Sequence, residues 1–139
     1  MQRLALFLLA LCLALPAVAE RKQTFGDLDV HYSAFNSSFV QPDIAAATGL
    51  VRSRTQGVVN IAVLRAGKPT AANVSGQVKN LLGQVHALEF KPIKEGEAIY
   101  YLAQFPFDQQ EMLRFTIDVK VGQDAAHSFD FNQEFFPDL

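Results

Sequence analysis

The sequence lacks the features that mark several protein classes. Its 139 residues contain one cysteine and no tryptophan. Cys12 lies inside the N-terminal apolar run, so the rest of the chain can form no disulfide and has no thiol nucleophile. The 12 basic residues do not exceed the 14 acidic ones, which argues against the basic surface of a nucleic-acid partner. No apolar run reaches the ~20 residues of a membrane-spanning helix.

Residues 1–19 are predicted to be a cleavable export signal. Arg3 precedes an apolar run over residues 4–15, and the small residues Ala17 and Ala19 fit a cleavage site before Glu20. A lipoprotein signal is disfavoured because apolar residues continue beyond Cys12. The prediction leaves one domain over residues 20–139, which is long enough for a single core, with no membrane span after cleavage.

The mature chain is predicted to be all-β. Turn residues recur at regular spacing, and in MLRFTIDVKV the residues Leu113, Phe115, Ile117 and Val119 alternate with polar ones. We expect a seven-stranded antiparallel immunoglobulin-like sandwich, with a closed barrel as the alternative. The seven expected strands are DLDVHYSAF, GVVNIAVLR, NVSGQVKNLL, VHALEFKPI, EAIYYLAQFPF, MLRFTIDVKV and HSFDFNQEFF.

One segment, residues 35–54 (FNSSFVQPDIAAATGLVRSR), interrupts the strands. Pro42 or Asp43 can open a short helix and Gly49 can close it. We expect this segment to be a crossing loop between the two sheets. If the following strand extends back through VRSR, Val51 faces the core together with Ser53.

Arg52 and Arg54 would then share the outer face at the exit of this segment. Two guanidinium groups side by side can anchor a carboxylate or a phosphate. The alternative is that they pair with nearby acids, Asp27, Asp29 or Asp43, and contribute little beyond orientation.

Aromatic residues supply the other candidate binding positions. Tyr32, Phe35 and Phe39 either clamp residues 35–54 to the sandwich or, if exposed, form an apolar patch for a partner. Tyr100 lies on the less apolar face of its strand, where its ring could stack on a ligand.

No catalytic or metal site is predicted. The histidines His31, His86 and His127 lie on separate expected strands, and no serine occupies a G-x-S-x-G turn. Met112 is the one methionine after the signal, and no H-x-H pair is present, so soft metal ligands are sparse. The sequence leaves open whether the three histidines converge in space. We expect no enzyme activity and no cofactor.

Five stretches of the mature chain resemble a family of small exported proteobacterial proteins that is catalogued as a domain of unknown function. They are V-H-Y-S-A-F-N-S-S-F from Val30, P-D-I-A-x-x-x-G-L-x-R-S from Pro42, G-x-V-N-I-A-V-L from Gly57, A-I-Y-Y-x-A-x-F from Ala98 and F-x-Q-E-F-F from Phe131. The resemblance implies an immunoglobulin-like β-sandwich in the periplasm of a Gram-negative bacterium. It implies no catalytic residue.

These observations favour a non-enzymatic interaction or binding module of the periplasm. Its expected partner is an envelope protein, bound through a sheet edge or through residues 35–54. The alternative is a periplasmic carrier of a small ligand or a metal. The oligomeric state is left open.

Overall fold

The computed structural model describes residues 21–137, so the predicted export signal lies outside the described residues. Within this range the chain forms ten strands and one α-helix, α1 (Pro42–Thr48), which follows a single 3-10 turn at Ser37–Phe39. No helix in residues 21–137 is both long enough and apolar enough to cross a membrane. The strands are β1 (Lys22–Phe25), β2 (Leu28–Asn36), β3 (Gln56–Arg65), β4 (Lys68–Pro69), β5 (Asn73–Lys79), β6 (Val85–Leu88), β7 (Lys91–Glu95), β8 (Ala98–Pro106), β9 (Glu111–Lys120) and β10 (His127–Phe135).

The strands form two antiparallel sheets. Sheet A has the order β1-β2-β3-β8-β7, with β4 beside the end of β3, and sheet B has the order β10-β9-β5-β6. The predicted all-β sandwich is confirmed. The number of strands differs from the seven expected, because the short β1 and β4 were not recognised and one expected strand is divided in two.

The core lies between the sheets and is built from the alternating residues. Leu113, Phe115, Ile117 and Val119 of β9 are 0–3% exposed, as predicted. The ring of Phe115 stacks on Phe131 of β10 with centroids 4.7 Å apart. It also meets the edge of Phe105 from sheet A at 5.2 Å. Such aromatic pairs add about 0.5–1.5 kcal/mol each beyond the area that they bury.

Gly57 allows Phe105 to lie against the start of β3. A Cβ atom at this position would stand 2.2 Å from the Phe105 ring. Gly57 pairs in regular register with Asn36 and Phe105, so the alternation of β3 continues through it without a bulge.

The run VHALEFKPI, expected as one strand, changes sheets. Its first half is β6, which pairs with β5 in sheet B, and its second half is β7, which pairs with β8 in sheet A. Phe90 lies between the halves and packs against the core. Pro92 has no backbone N–H, which suits the edge position of β7.

The expected strand NVSGQVKNLL ends at Lys79, before the two leucines. The Asn80 side-chain oxygen accepts hydrogen bonds from the backbone N–H groups of Leu82 and Gln84, at 3.0 and 2.9 Å. This closes a tight turn that leaves Leu81 82% exposed and Leu82 84% exposed.

The segment over residues 35–54 is not a crossing between sheets. It joins β2 to β3, which are antiparallel neighbours within sheet A. The predicted helix is confirmed, since α1 begins at Pro42 and ends at Gly49, which has the left-handed φ of 74°. The segment leaves sheet A at the end of β2, crosses its outer face and returns to the adjacent strand.

The predicted extension of β3 back to Val51 is wrong. Val51 is 57% exposed, and β3 begins only at Gln56. The Gln104 side chain bonds both backbone groups of Val51, at 3.0 and 2.8 Å. The Ser37 hydroxyl accepts from the N–H of Ser53 and donates to its carbonyl oxygen. Because side chains satisfy these backbone groups, no strand pairing is required.

Candidate functional site

The outer face of sheet A is more apolar than a solvated sheet face. Several large side chains that point away from the core are only partly exposed, on all four of its long strands. Antiparallel sheets with one solvated face carry polar residues there. The half-buried outer side chains are Phe35 of β2, Leu64 of β3, Ile93 of β7, and Tyr100 and Leu102 of β8.

Part of this face is covered by the segment that carries α1. Val58 belongs to the outer face, opposite Phe35 and Gln104 in register, and it is fully buried. Ala45 of α1 is 4% exposed. A helix of seven residues is not stable alone in water, so α1 depends on this packing.

The cover is incomplete and leaves a cleft in two adjoining halves. The helix half lies beside α1 and has a volume of about 570 Å³. The edge half lies towards β2 and has a volume of about 700 Å³. Asn60 and Tyr100 line both halves, so the two halves are adjacent, and each is of the size of small-molecule sites. The apolar lining of the helix half comprises Phe35, Ile44, Ala47, Leu50, Ile93 and Leu102.

Asn60 lines both halves of the cleft. Its side-chain oxygen is enclosed by the surrounding residues and has no hydrogen-bond partner among residues 21–137. A buried acceptor without a donor costs about 1–3 kcal/mol.

Arg21 lines the edge half at the free edge of β2, on the side of this strand that faces sheet B. Its guanidinium carbon lies 4.9 Å from the ring centroid of Tyr32 and 4.8 Å from that of Phe131, within cation–π range. Nη1 donates to Gln133 Oε1 at 2.6 Å, and Gln133 Nε2 donates to the carbonyl oxygen of Ala34 at 2.6 Å. The cation is therefore positioned by two rings and an amide.

The two halves differ in charge. Arg21 and His31 line the edge half, and none of the described residues lining it is acidic. Asp43, Lys94 and Glu95 lie along the helix half. The cleft therefore has a cationic end beside Arg21 and carries its acids towards the other end.

The cleft collects three of the predicted binding residues. Phe35 lines the helix half, Tyr32 lines the edge half, and Tyr100 lines both. Tyr32 does not clamp residues 35–54, because its ring packs on Phe129 and Phe131. Phe39 is 70% exposed, outside the cleft, where it lines a shallow depression that includes Phe136.

Arg52 and Arg54 do not line the cleft. Arg52 Nη2 donates to the carbonyl oxygen of Ser38 at 3.1 Å, and Arg54 is exposed. The expected pairing with acids is not found within residues 21–137, because Asp27 pairs with Arg65 and Asp29 accepts from Thr24. Their role as an anion anchor stays a prediction.

The three histidines do not converge. His31 is on β2 in sheet A, whereas His86 and His127 are on β6 and β10, at opposite edges of sheet B. The ring of His127 stacks on Phe25 with centroids 4.4 Å apart. Residues 21–137 contain no group of three or more histidine, cysteine or acidic side chains that could hold a metal ion.

Sequence reasoning missed Leu102, Asn60 and Arg21. For Leu102 a signal was present, because β8 reads AIYYLAQF, which is apolar on both faces and predicts a strand covered on both sides. Asn60 lies among apolar residues in VVNIAV. This pattern indicates a polar side chain on a strand that is covered on both faces. For Arg21 the sequence holds no signal, since its partners Gln133 and Phe131 are far away along the chain.

Comparison with known proteins places this architecture in a defined group. Residues 22–138 match the model of DUF4426, a domain of unknown function. The crystal structure of a DUF4426 family protein from Pseudomonas aeruginosa PAO1 is 54% identical and superposes with a TM-score of 0.80, covering 86% of this chain and 97% of that one. The comparison with curated proteins gave no match.

Two structures of FetP from uropathogenic Escherichia coli strain F11 share the fold. One is the protein as isolated after expression in the periplasm of E. coli, and the other is a copper-bound variant. Each is 12% identical with a TM-score of 0.63, and they cover 85% and 84% of this chain and 94% and 95% of their own. That likeness extends to the fold alone. The family match over nearly all of the described residues, with the 54% identical relative, shows that the chain belongs to the DUF4426 family.

Proposed function

We propose that this protein is a non-enzymatic binding module of the periplasm that holds a small apolar ligand in the cleft on the outer face of sheet A. The observation that carries the proposal is the cleft itself, whose two halves extend from Arg21 past Tyr100 to α1. A sandwich has no need of such a cleft for its stability.

The segment that forms the helix half supports this use. Its residues bury Val58 and Ala45 but leave Ile44 of α1 48% exposed beside the cleft. An apolar ligand would cover the exposed part of Ile44 together with Leu102 and Ile93. Each Å² of apolar surface removed from water contributes about 25 cal/mol.

The periplasmic location rests on the export signal predicted over residues 1–19. FetP, which shares the fold, was expressed in the periplasm. Cell fractionation and the intact mass of the purified protein test this part. Recovery in the periplasmic fraction, with Glu20 as the first residue, is expected, and retention of residues 1–19 on a cytoplasmic protein would contradict it.

A neutral fluorescent probe, N-phenyl-1-naphthylamine, tests the cleft. Saturable binding of one probe per chain is expected, with at least about tenfold loss in Leu102→Gln, because a side-chain amide without a partner is costly in an apolar site. Met112→Gln is the matched control, since Met112 is a partly exposed apolar residue on the outer face of sheet B. Absence of saturable binding, or equal loss in the two variants, would contradict the proposal.

A second candidate is interaction with an envelope protein. The exposed pair Leu81 and Leu82, at 82% and 84%, favours it, because adjacent exposed leucines are suited to a protein contact. A photocrosslinking residue at position 82, compared with one at position 102 in the cleft, separates the candidates in cells. A reproducible protein adduct from position 82 alone would support the protein partner.

The metal-carrier alternative gains no support from the described residues, because the histidines lie apart. Metal analysis of the purified protein is the direct check. Stoichiometric copper or zinc would favour a carrier of metal over a carrier of an apolar ligand.

A further inference from the structure

We infer that the ligand of the cleft is a single-chain amphipathic carboxylic acid, whose carboxylate meets Arg21 and whose alkyl chain runs past Tyr100 into the helix half. This inference rests on the proposed function and names its ligand class. It goes beyond the proposed function because it predicts a preference for one charge and one direction of binding.

The first argument is the charge at the edge half. Arg21 is a permanent cation, and the described residues lining this half include no carboxylate to neutralise it. The hydrogen bond to Gln133 uses Nη1, and its partner there is a neutral amide. A guanidinium carries five N–H donors, so donors remain for a ligand carboxylate.

The second argument is the way in which Arg21 is fixed. The rings of Tyr32 and Phe131 lie 4.9 and 4.8 Å from its guanidinium carbon, and Gln133 links it to the edge of β2. A flexible surface arginine loses side-chain entropy when it binds an anion. Arg21 has already been ordered, so less of that cost remains.

The third argument is the shape and polarity of the rest of the cleft. Beyond Asn60 and Tyr100 most of the lining side chains are apolar. The charged residues along the helix half are Asp43, Glu95 and Lys94, so the acids outnumber the bases there by one. The edge half has Arg21 and no acid among its described lining residues, which favours a carboxylate beside Arg21. One formal cation matches a monoanion, whereas the second charge of a phosphate monoester would stay uncompensated.

The experiment compares three ligands of equal chain length on the protein purified after expression of the full chain. Hexadecanoate, hexadecanol and hexadecyltrimethylammonium displace the bound naphthylamine probe, each below its micelle concentration. The acid is expected to bind most tightly. The alcohol should bind about tenfold more weakly, because the charge-assisted hydrogen bond to Arg21 is lost. The ammonium should bind most weakly, because its charge is repelled by Arg21.

Two variants locate the head group. Arg21→Gln is expected to lower the affinity for hexadecanoate by about tenfold. The affinity for hexadecanol should change by less than about twofold. Arg21→Lys keeps the charge and should keep the preference for acid over alcohol. Arg52→Gln, which removes an exposed arginine outside the cleft, is the matched control and should leave the affinity for both ligands unchanged.

The outcomes separate this inference from the function on which it rests. Equal binding of acid and alcohol, or a preference for the ammonium, overturns the carboxylate assignment and leaves the apolar cleft in place. Failure of the probe and of all three ligands to bind overturns both. If Arg21→Gln does not fold, the comparison of the three ligands on the unchanged protein still decides the charge preference.

Discussion

The outer faces of the two sheets differ, although both belong to strands with the same alternation. On sheet B, the outward residues Arg114, Asp118 and Lys120 of β9 are exposed, and Thr116 is partly exposed. On sheet A, the outward residues of β3 and β8 include the fully buried Val58 and the half-buried Tyr100 and Leu102. The outer face of sheet B is therefore solvated, whereas the outer face of sheet A is partly covered.

The polar groups of sheet B satisfy one another. Arg114 Nη2 donates to Asp130 Oδ2 at 2.8 Å, and the hydroxyl of Thr116 donates to Asp130 Oδ1 at 2.7 Å. The hydrogen bond from Arg114, followed by that from Thr116, lowers the pKa of Asp130 below its ordinary value. In sheet A the corresponding polar group, Asn60, has a buried oxygen without a partner in residues 21–137. The polar side chains on the outer face of sheet B are thus paired with one another, whereas the buried oxygen of Asn60 on sheet A is not.

The largest effect is expected from a substitution in the core, which lies between the two sheets. Ile117→Ala should lower the free energy of unfolding by about 2–5 kcal/mol, because it leaves a cavity between the sheets. Urea denaturation measures the change, with Asn132→Ala on the exposed face of sheet B as a control expected within about 0.5 kcal/mol. A loss below about 1 kcal/mol for Ile117→Ala would mean that the core is not packed as described.

The next prediction tests whether the outer face of sheet A is a true packing surface. Val58→Ala should cost about 2 kcal/mol, since it removes buried apolar groups beneath the covering segment. Gln77→Ala, at an exposed position of sheet B, should leave the unfolding free energy nearly unchanged. Equal effects at the two positions would remove the contrast between the faces.

A smaller effect is expected at the end of α1. Gly49 has a φ of 74°, and alanine in this left-handed conformation costs roughly 1–2 kcal/mol. Hydrogen exchange should accelerate in Gly49→Ala for the amides of α1 and remain unchanged for β9. Faster exchange in both places would show that the cover and sheet B unfold as one unit.

The smallest effect belongs to the polar face of sheet B. Because the folded pKa of Asp130 is lowered, its stabilising contribution is present above the unfolded pKa of ~3.9 and is lost as the pH falls through the folded pKa. The pair is exposed, so the contribution should be below about 1 kcal/mol. The free energies of unfolding of Asp130→Asn and of the unchanged protein, measured in urea, should differ at pH 7 and converge at low pH. A difference that grows on acidification would contradict this sign.

The elements that were predicted well are those set by local pattern. The core face of β9 and the bounds of α1 follow from alternation and from capping residues. The errors at Val51 and in VHALEFKPI have another origin. At Val51 the side chain of Gln104 bonds the backbone groups. In VHALEFKPI the chain changes sheets between Leu88 and Lys91, where no glycine or proline marks a turn.

The candidate site shows the same division. Phe35 and Tyr100 were named from their aromatic character and their places in the strand pattern, and both line the cleft. Arg52 and Arg54 were named from their spacing, but spacing along a chain does not show whether a cleft is near. Arg21 and Asn60 acquire their significance only from the surroundings that the fold gives them.

By itself, the sequence determined an all-β domain, the residues of its core and the place of its one helix, because these depend on periods of two and on capping residues that are close together in the chain. Only the tertiary structure decided that residues 35–54 return to the same sheet, cover part of its outer face and leave a cleft with a cation at one end. That outcome depends on contacts between distant residues such as Arg21 with Gln133 and Val51 with Gln104, for which no local pattern exists.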